Sequence, residues 1–408
     1  MRWLGLVAIA VCAYALADGG IISYKPRVRI FEPGQNAVIA FNGEEELLYL
    51  SVDTRASAKT KAIRLVPFPS KPEVSKGDIS VLSAIERFLW PRVWRRRGWK
   101  LAQDAAGGLR NTVSVLKRQR IGSHILTTLK TDDKDALINW LKKHLKDEKI
   151  ENRAWFKRLI DVVNHYHACG FRYWVLDEID IDATTKAVEP LIYRFRCPFM
   201  FYPLVISSLM EGETTITVAA FSADAAPFVK AMPKGFKDVL LLPNGKRGVL
   251  TLSSDQLKGI WPAAAELFGS GETVELCIYR YKGDVKFESD VPETVGMRKR
   301  VASLFEKLAK TSKDAEPEVA WVLADLAEDY LFAAPDKAKL LKEMRKRCQK
   351  APESAKPEVV AAIKRALGYI ICGMKDFGLK TLRGASARSM PKHYLNAIKF
   401  LLTTLKDS

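Results

Sequence analysis

The sequence predicts an α+β fold: a mainly antiparallel sheet domain with helices, followed by an all-α, helical-repeat-like C-terminal domain. Three observations predict it. Strand-like runs open the chain and return from about residue 188 to 295, helix-period segments lie between them, and strand signals stop after about residue 296.

The elements follow in order. "NAVIAFNGEEELLYLSV" (36–52) holds two strand-like runs joined by Asn42-Gly43, a dipeptide that tolerates positive φ and so favours a hairpin. In the return run Leu48, Leu50 and Val52 share one face and Leu47 and Tyr49 the other, as in a strand covered from both sides. "TKAIRLVPFPSKP" supplies a further strand, ended by Pro67, Pro69 and Pro72, which lack ladder donors. Helices follow: "DISVLSAIERFL", with Ile79, Leu82, Ile85 and Leu89 at helical spacing behind the cap Asp78, then "TDDKDALINWLKKHL", then "AWFKRLIDVVNHYHACG", stopped by Gly170. "FRYWVLDEIDI" returns to a two-residue period. "LIYRF", "YPLVISSL", "TTITVAAFS", "DVLLLPNGKRGVLTL" and "TVELCIYRYKGDVKF" complete the strand set, with a second Asn-Gly turn at 244–245.

The last 113 residues carry 23 Lys/Arg against 13 Asp/Glu and contain a repeat. "EPEVAWVLADLAEDY" from Glu316 and "KPEVVAAIKRALGYI" from Lys356 align without gaps at a period of 40, and "MPKHYLNAIKFLLTTL" from Met390 is a weaker third copy. Each places proline where a helix begins, at a period that suits HEAT-like helical hairpins or a helical bundle. The expected division is therefore a leader at 1–17, an α+β domain at 18–295 and a basic helical domain at 296–408.

The leader is "MRWLGLVAIAVCAYALA". Arg2 gives a positive start, Trp3 to Tyr14 form an apolar run shorter than the ~20 residues a bilayer span needs, and Ala15-Leu16-Ala17 fits signal cleavage. This predicts an exported protein, periplasmic or extracellular. The net charge of +18 becomes +17 without Arg2 (64 minus 47). Outside the cytoplasm such charge points to lipid headgroups, wall polymers or another protein, with no nucleic acid expected.

The most concentrated feature is "WPRVWRRRGWK" (90–100). Trp90, Arg92, Trp94, Arg95, Arg96, Arg97, Trp99 and Lys100 form a candidate grip on an anionic surface, since arginine donates in a planar fork and tryptophan suits headgroup depth or sugar rings. Two other readings stay open: an internal partner in the acidic tract "DEIDID" (177–182), or a connector whose tryptophans pack inward. On a strand Glu178, Asp180 and Asp182 share a face, which admits a calcium cluster or a solvated strand end. "HYHAC" places His165 and Cys169 on one helical face near Asp161, which admits a metal site or helix-terminal histidines. No metal or cofactor is predicted, and no catalytic motif appears. Five cysteines follow the leader. Cys169 with Cys197, and Cys348 with Cys372, are the pairs nearest in sequence and the candidate disulfides, with buried free thiols as the alternative.

"DGG", "VRIFEPGQNAVIAF", "RLVPFPSKPEV", "LINWLKKH", "FRYWVLDEIDI" and "YPLVISSL" occur in that order between Asp18 and Ser222. Together they resemble a secreted prokaryotic family known only as domain of unknown function 2330. The resemblance implies export and a domain built around a Glu32-Pro33-Gly34-Gln35 turn, and it leaves the tryptophan-arginine stretch and the helical tail outside the shared pattern. It brings no catalytic residues. The resulting expectation is a non-catalytic binding or scaffold protein of the cell envelope. Its rival is a secreted hydrolase of cell-surface sugars or peptides, with carboxylates gathered by the fold.

Overall fold

The computed structural model describes residues 21–25, 28, 30–89, 114–145, 154–182, 188–209, 212–240, 242, 247–292, 294 and 296–406. The leader and the tryptophan-arginine stretch lie outside them, as does the second Asn-Gly pair.

Five strands come first: β1 (Ile21–Ser23), β2 (Ile30–Phe41), β3 (Glu45–Ala56), β4 (Thr60–Phe68) and β5 (Glu73–Lys76). The β2–β3 hairpin forms as expected, one residue out of phase. Gly43 and Glu44 are its central residues, with Gly43 at φ +106°, while the Asn42 side chain accepts from the Glu44 and Glu45 N–H groups. Glu32-Pro33-Gly34-Gln35 is not a turn. It lies inside β2, where the pairing with β3 shifts between Phe31 and Gly34; a bulge lets a strand hold a proline that cannot donate. Pro67 likewise does not end β4, which continues to Phe68.

Helix α1 (Ser80–Leu89) follows, capped by Asp78, which accepts from the Ser80 N–H at 2.8 Å. It buries Val81, Ala84 and Ile85, one face round from the expected stripe, of which only Ile85 is fully buried. Then come β6 (Ser114–Ile121), β7 (His124–Lys130), α2 (Lys134–Leu145), α3 (Ala154–Ala168), β8 (Tyr173–Ile181) and β9 (Leu191–Arg196). "YPLVISSL" is not a strand but a 3-10 turn at Val205–Leu209, every residue of it buried save Ser208. An apolar run this short has no period that separates helix from strand. β10 (Glu213–Ser222), α4 (Ala226–Ala231), β11 (Lys237–Asp238), β12 (Leu250–Ser253), α5 (Ser254–Lys258), α6 (Pro262–Ala265) and β13 (Thr273–Asp284) complete this part.

Two sheets result. The first has the order β1-β4-β8-β7-β6, antiparallel throughout; the second runs β11-β13-β10-β2-β3-β9-β5, with β12 also on β13 and a single parallel pair, β2 with β10. They pack face to face, Phe68 of one sheet lying 5.1 Å from the rings of Tyr193 and Phe195 on the other. The outer face of the first sheet is covered by α2 and α3, with Tyr166 edge-on to Trp174 at 5.8 Å. The outer face of the second lies under α1, α5 and α6, where Trp261 meets Tyr49 at 6.1 Å. The chain thus alternates its apolar groups in β3 as predicted: Leu48 and Leu50 join the core between the sheets, Leu47 and Tyr49 the core beneath the outer helices.

Beyond Asp284 the described elements are helices, apart from an isolated bridge between Val291 and Tyr202: α7 (Met297–Thr311), α8 (Pro317–Glu328), α9 (Ala338–Lys346), α10 (Pro357–Ile371), α11 (Lys375–Ser386) and α12 (Lys392–Lys406). The two clear copies of the 40-residue repeat both begin helices. Glu316 and Lys356 precede α8 and α10 with the same backbone angles, φ near −55° and ψ 142°, each placing proline at the first helical position. The third copy starts α12. That helix packs against α7, α8 and α11, so the set closes into a bundle. The bundle shares the main core with the sheets, through Phe332 against Phe171 and Phe199 at 6.1 and 6.2 Å. No helix among the described residues is long and apolar enough to cross a membrane.

Candidate functional site

The acidic tract is split by the strand that carries it. Consecutive residues on β8 point to opposite faces, so Asp177 enters the space between the sheets and Glu178 faces α2. Asp177 is fully buried. It accepts from Arg64 Nη2 at 2.8 Å and meets His124 Nδ1 at 2.9 Å, while His124 Nε2 contacts the Glu189 carbonyl at 2.8 Å. Burial alone raises such a carboxyl; His124 and Arg64 outweigh it and hold Asp177 below the usual carboxylate range. Glu178 is 4% exposed and receives Tyr24 Oη at 3.0 Å, His144 at 3.4 Å, Arg118 at 3.5 Å and Lys61 at 3.8 Å. Its burial is likewise overcome, first by His144, and its pKa falls. Only Asp180 is exposed. The tract is therefore neither a calcium cluster nor a wholly solvated strand end, and six side chains from elsewhere in the chain already occupy its buried carboxylates.

The "HYHAC" segment ends α3, and Gly170 at φ +97° stops it. His165 and Cys169 share a face, 4.0 Å apart, but their companions come from far along the chain: Asp290 at 3.6 Å from His165 Nε2 and Thr294 Oγ1 at 3.3 Å. Asp161 points to solvent, and His167 reaches the Asp132 carbonyl. Burial opposes charge on His165, yet the Asp290 carboxylate and then Cys169 carry its pKa up to about 10. All three partners face one nitrogen. A nucleophile relay needs the acid on one imidazole nitrogen and the thiol on the other, so this cluster pins the helix end to the 290–294 loop. Tyr166, Leu204 and Val205 also donate to Asp290. Among the described residues no group of three or more His, Cys, Asp or Glu is placed to hold a metal ion.

All five cysteines after the leader are free thiols. Neither Cys169 with Cys197 nor Cys348 with Cys372 is bonded; the Cys169 thiol faces the Thr294 carbonyl and the Cys348 thiol the Lys350 carbonyl.

Two concavities stand out among the described residues. One, of about 20 Å³, lies where the sheets, α4 and α10 meet; aromatic side chains contribute to its lining, with Asp224 as its one carboxylate. The other, an open groove of about 450 Å³ between α8 and α9, holds Glu328, already bound by Arg345.

Charge gathers on the surface instead. Residues 375–406, the α11–α12 hairpin, carry seven Lys/Arg and one acid, Asp376. Each helix turns its apolar stripe inward, Leu379, Leu382 and Ala385 on α11 and Tyr394, Ala397, Ile398 and Leu401 on α12. The opposite stripes are basic: Lys380 and Arg383 on one, Lys392 and Lys399 on the other, all exposed and without a carboxylate partner among the described residues. The net charge of the tail was plain in the sequence; its sorting onto two neighbouring stripes was not. Trp90, Arg92, Trp94, Arg95, Arg96, Arg97, Trp99 and Lys100 lie outside the described residues.

A profile of the bacterial family described as "Uncharacterized protein conserved in bacteria (DUF2330)" matches residues 12–226, 215 of 408. Its bounds enclose the tryptophan-arginine stretch, which the resemblance had left outside. They exclude β13, which pairs with β10 and extends the second sheet, and they exclude the bundle. No curated protein matches. Among solved structures, baculovirus P35 is 11% identical with a TM-score of 0.31, covering 56% of this chain and 75% of that one. A mutated baculovirus P35 after caspase cleavage is 9% identical with a TM-score of 0.29, covering 63% and 96%. Likeness at that level carries no argument about fold or function. By the match over its sheet-bearing N-terminal half, the chain belongs to the DUF2330 family of uncharacterised proteins conserved in bacteria.

Proposed function

We propose that this chain is an exported, non-catalytic binding or scaffold protein of the cell envelope, contacting an anionic surface or another protein. The observation that supports this reading best is the α11–α12 hairpin. Its basic stripes are solvent-facing and unneutralised, a layout that attracts polyanions and costs the bundle self-repulsion. The tryptophan-arginine stretch adds a second cationic element to the same surface chemistry. The hydrolase reading has less behind it, since neither described concavity brings two carboxylates together.

The experiment is retention of the purified protein on vesicles of anionic lipid, on neutral vesicles and on wall polymer across a salt series. Retention on anionic surfaces that falls as salt rises supports the reading; equal retention on neutral vesicles, or none at low salt, contradicts it.

A further inference from the structure

Two buried cysteines from distant parts of the chain flank the contact between the end of β9 and α10. Cys197 directly follows β9, its N–H donating to the Glu44 carbonyl at 3.0 Å. The next residue, Pro198, touches α10 so closely that a Cβ on Gly368 would stand 2.2 Å from the Pro198 carbonyl oxygen. Only glycine permits that approach. Cys372 lies four residues beyond Gly368, one helical turn along the same face, and is buried with it. Tyr330 sits at the same junction, its hydroxyl 3.4 Å from the Gly368 Cβ position and bonded to the Lys364 carbonyl at 2.7 Å.

We propose that Cys197 and Cys372 are the disulfide-forming pair of this chain, joined when it folds in the presence of a small disulfide oxidant such as oxidised glutathione. One cysteine thiolate attacks the glutathione disulfide, forming a mixed disulfide and releasing one glutathione thiol. The second cysteine thiolate then displaces the other glutathione, leaving the Cys197–Cys372 bond. The two glutathione thiols carry away the electrons, and the two protons lost by the protein. In the folded chain both sulfurs are shielded, and burial pushes the Cys372 thiol up to about 12, so neither is a ready nucleophile. The bond therefore forms while the junction is still open. It fastens the end of β9 to the end of α10, and so the sheets to the bundle. It requires an oxidant and is independent of any anionic partner.

The test is to unfold and reduce the full chain, refold it in a reduced/oxidised glutathione mixture, alkylate it, digest it and analyse the peptides without reductant. The expected result is one cross-linked pair containing Cys197 and Cys372, absent after reduction and absent from Cys372→Ser. A cross-link through Cys169, Cys277 or Cys348 instead, or complete alkylation of every cysteine, overturns the proposal. Should Cys372→Ser fail to fold, limited proteolysis of the wild-type chain gives the same answer: sheet and bundle fragments must stay joined until reductant is added, and fragments that part without it refute the bond.

Discussion

Arg64 on β4 donates to Asp177 on β8 at 2.8 Å across a space from which water is excluded, the two side chains 2% and 0% exposed. Their strands pair at that register, and His124 closes the other side of the carboxylate. A buried charge with its partner removed is costly. Asp177→Asn is expected to cost about 3–5 kcal/mol at pH 7, measured by urea unfolding. Because the folded pKa of Asp177 is depressed below its ordinary 3.8, its contribution is full above that value and is lost as pH falls through the folded pKa. The gap between wild type and Asp177→Asn should accordingly narrow at strongly acid pH. A gap unchanged down to pH 2 would show that the ion pair is not its source.

Glu46 has the opposite sign. It is fully buried, with Oε2 accepting from the Phe201 N–H at 2.6 Å and, among the described residues, no hydrogen-bond partner at Oε1. Burial pushes its carboxyl well above the ordinary 4.5, against the lesser pull of the Phe201 bond. A raised pKa gives stability that is complete below the unfolded value and declines as pH climbs toward the folded one. Glu46→Gln keeps the acceptor and removes the titration. The variant should therefore melt higher than wild type at pH 8 and the same at pH 4; a lower melting temperature at pH 8 would refute this.

Gly170 ends α3 at φ +97°, and a Cβ there would lie 2.5 Å from both Ala333 Cα and the Phe332 carbonyl oxygen. Strain and backbone collision combine, so Gly170→Ala should destabilise the fold by roughly 2 kcal/mol or more. Gly373, also at positive φ but with open space around it, is the control. Gly373→Ala should cost about 1 kcal/mol, and equal losses at the two sites would mean that the α3–bundle contact is not close-packed.

These particulars show what the sequence could and could not disclose. Local alternation sorted Leu47 and Tyr49 from Leu48 and Leu50, because a pleated strand fixes side-chain direction whatever it pairs with. Proline at the start of α8 and α10 marked the repeat for the same local reason. The 3-10 turn at Val205–Leu209 was opaque: all-round burial erases periodicity. The acidic tract was legible as a cluster but not as two sites, since Asp177 finds its arginine 113 residues away. A lone arginine and a lone histidine inside apolar strands, Arg64 in "AIRLVPF" and His124 in "SHILTT", were the available signal for that pair.

The cationic stripes of α11 and α12 are expected to attract polyanions. The most direct measurement of this attraction compares wild type with Lys380→Ser, Arg383→Ser, Lys392→Ser and Lys399→Ser combined, on anionic vesicles at about 50 mM salt and again near 500 mM, where screening shortens the reach of charge to a few ångströms. These four side chains are exposed and have no carboxylate partner among the described residues, so the variant should unfold at the wild-type urea midpoint. Retention should fall at least tenfold at low salt, and the two proteins should converge at high salt. Equal retention at both salt concentrations would contradict it.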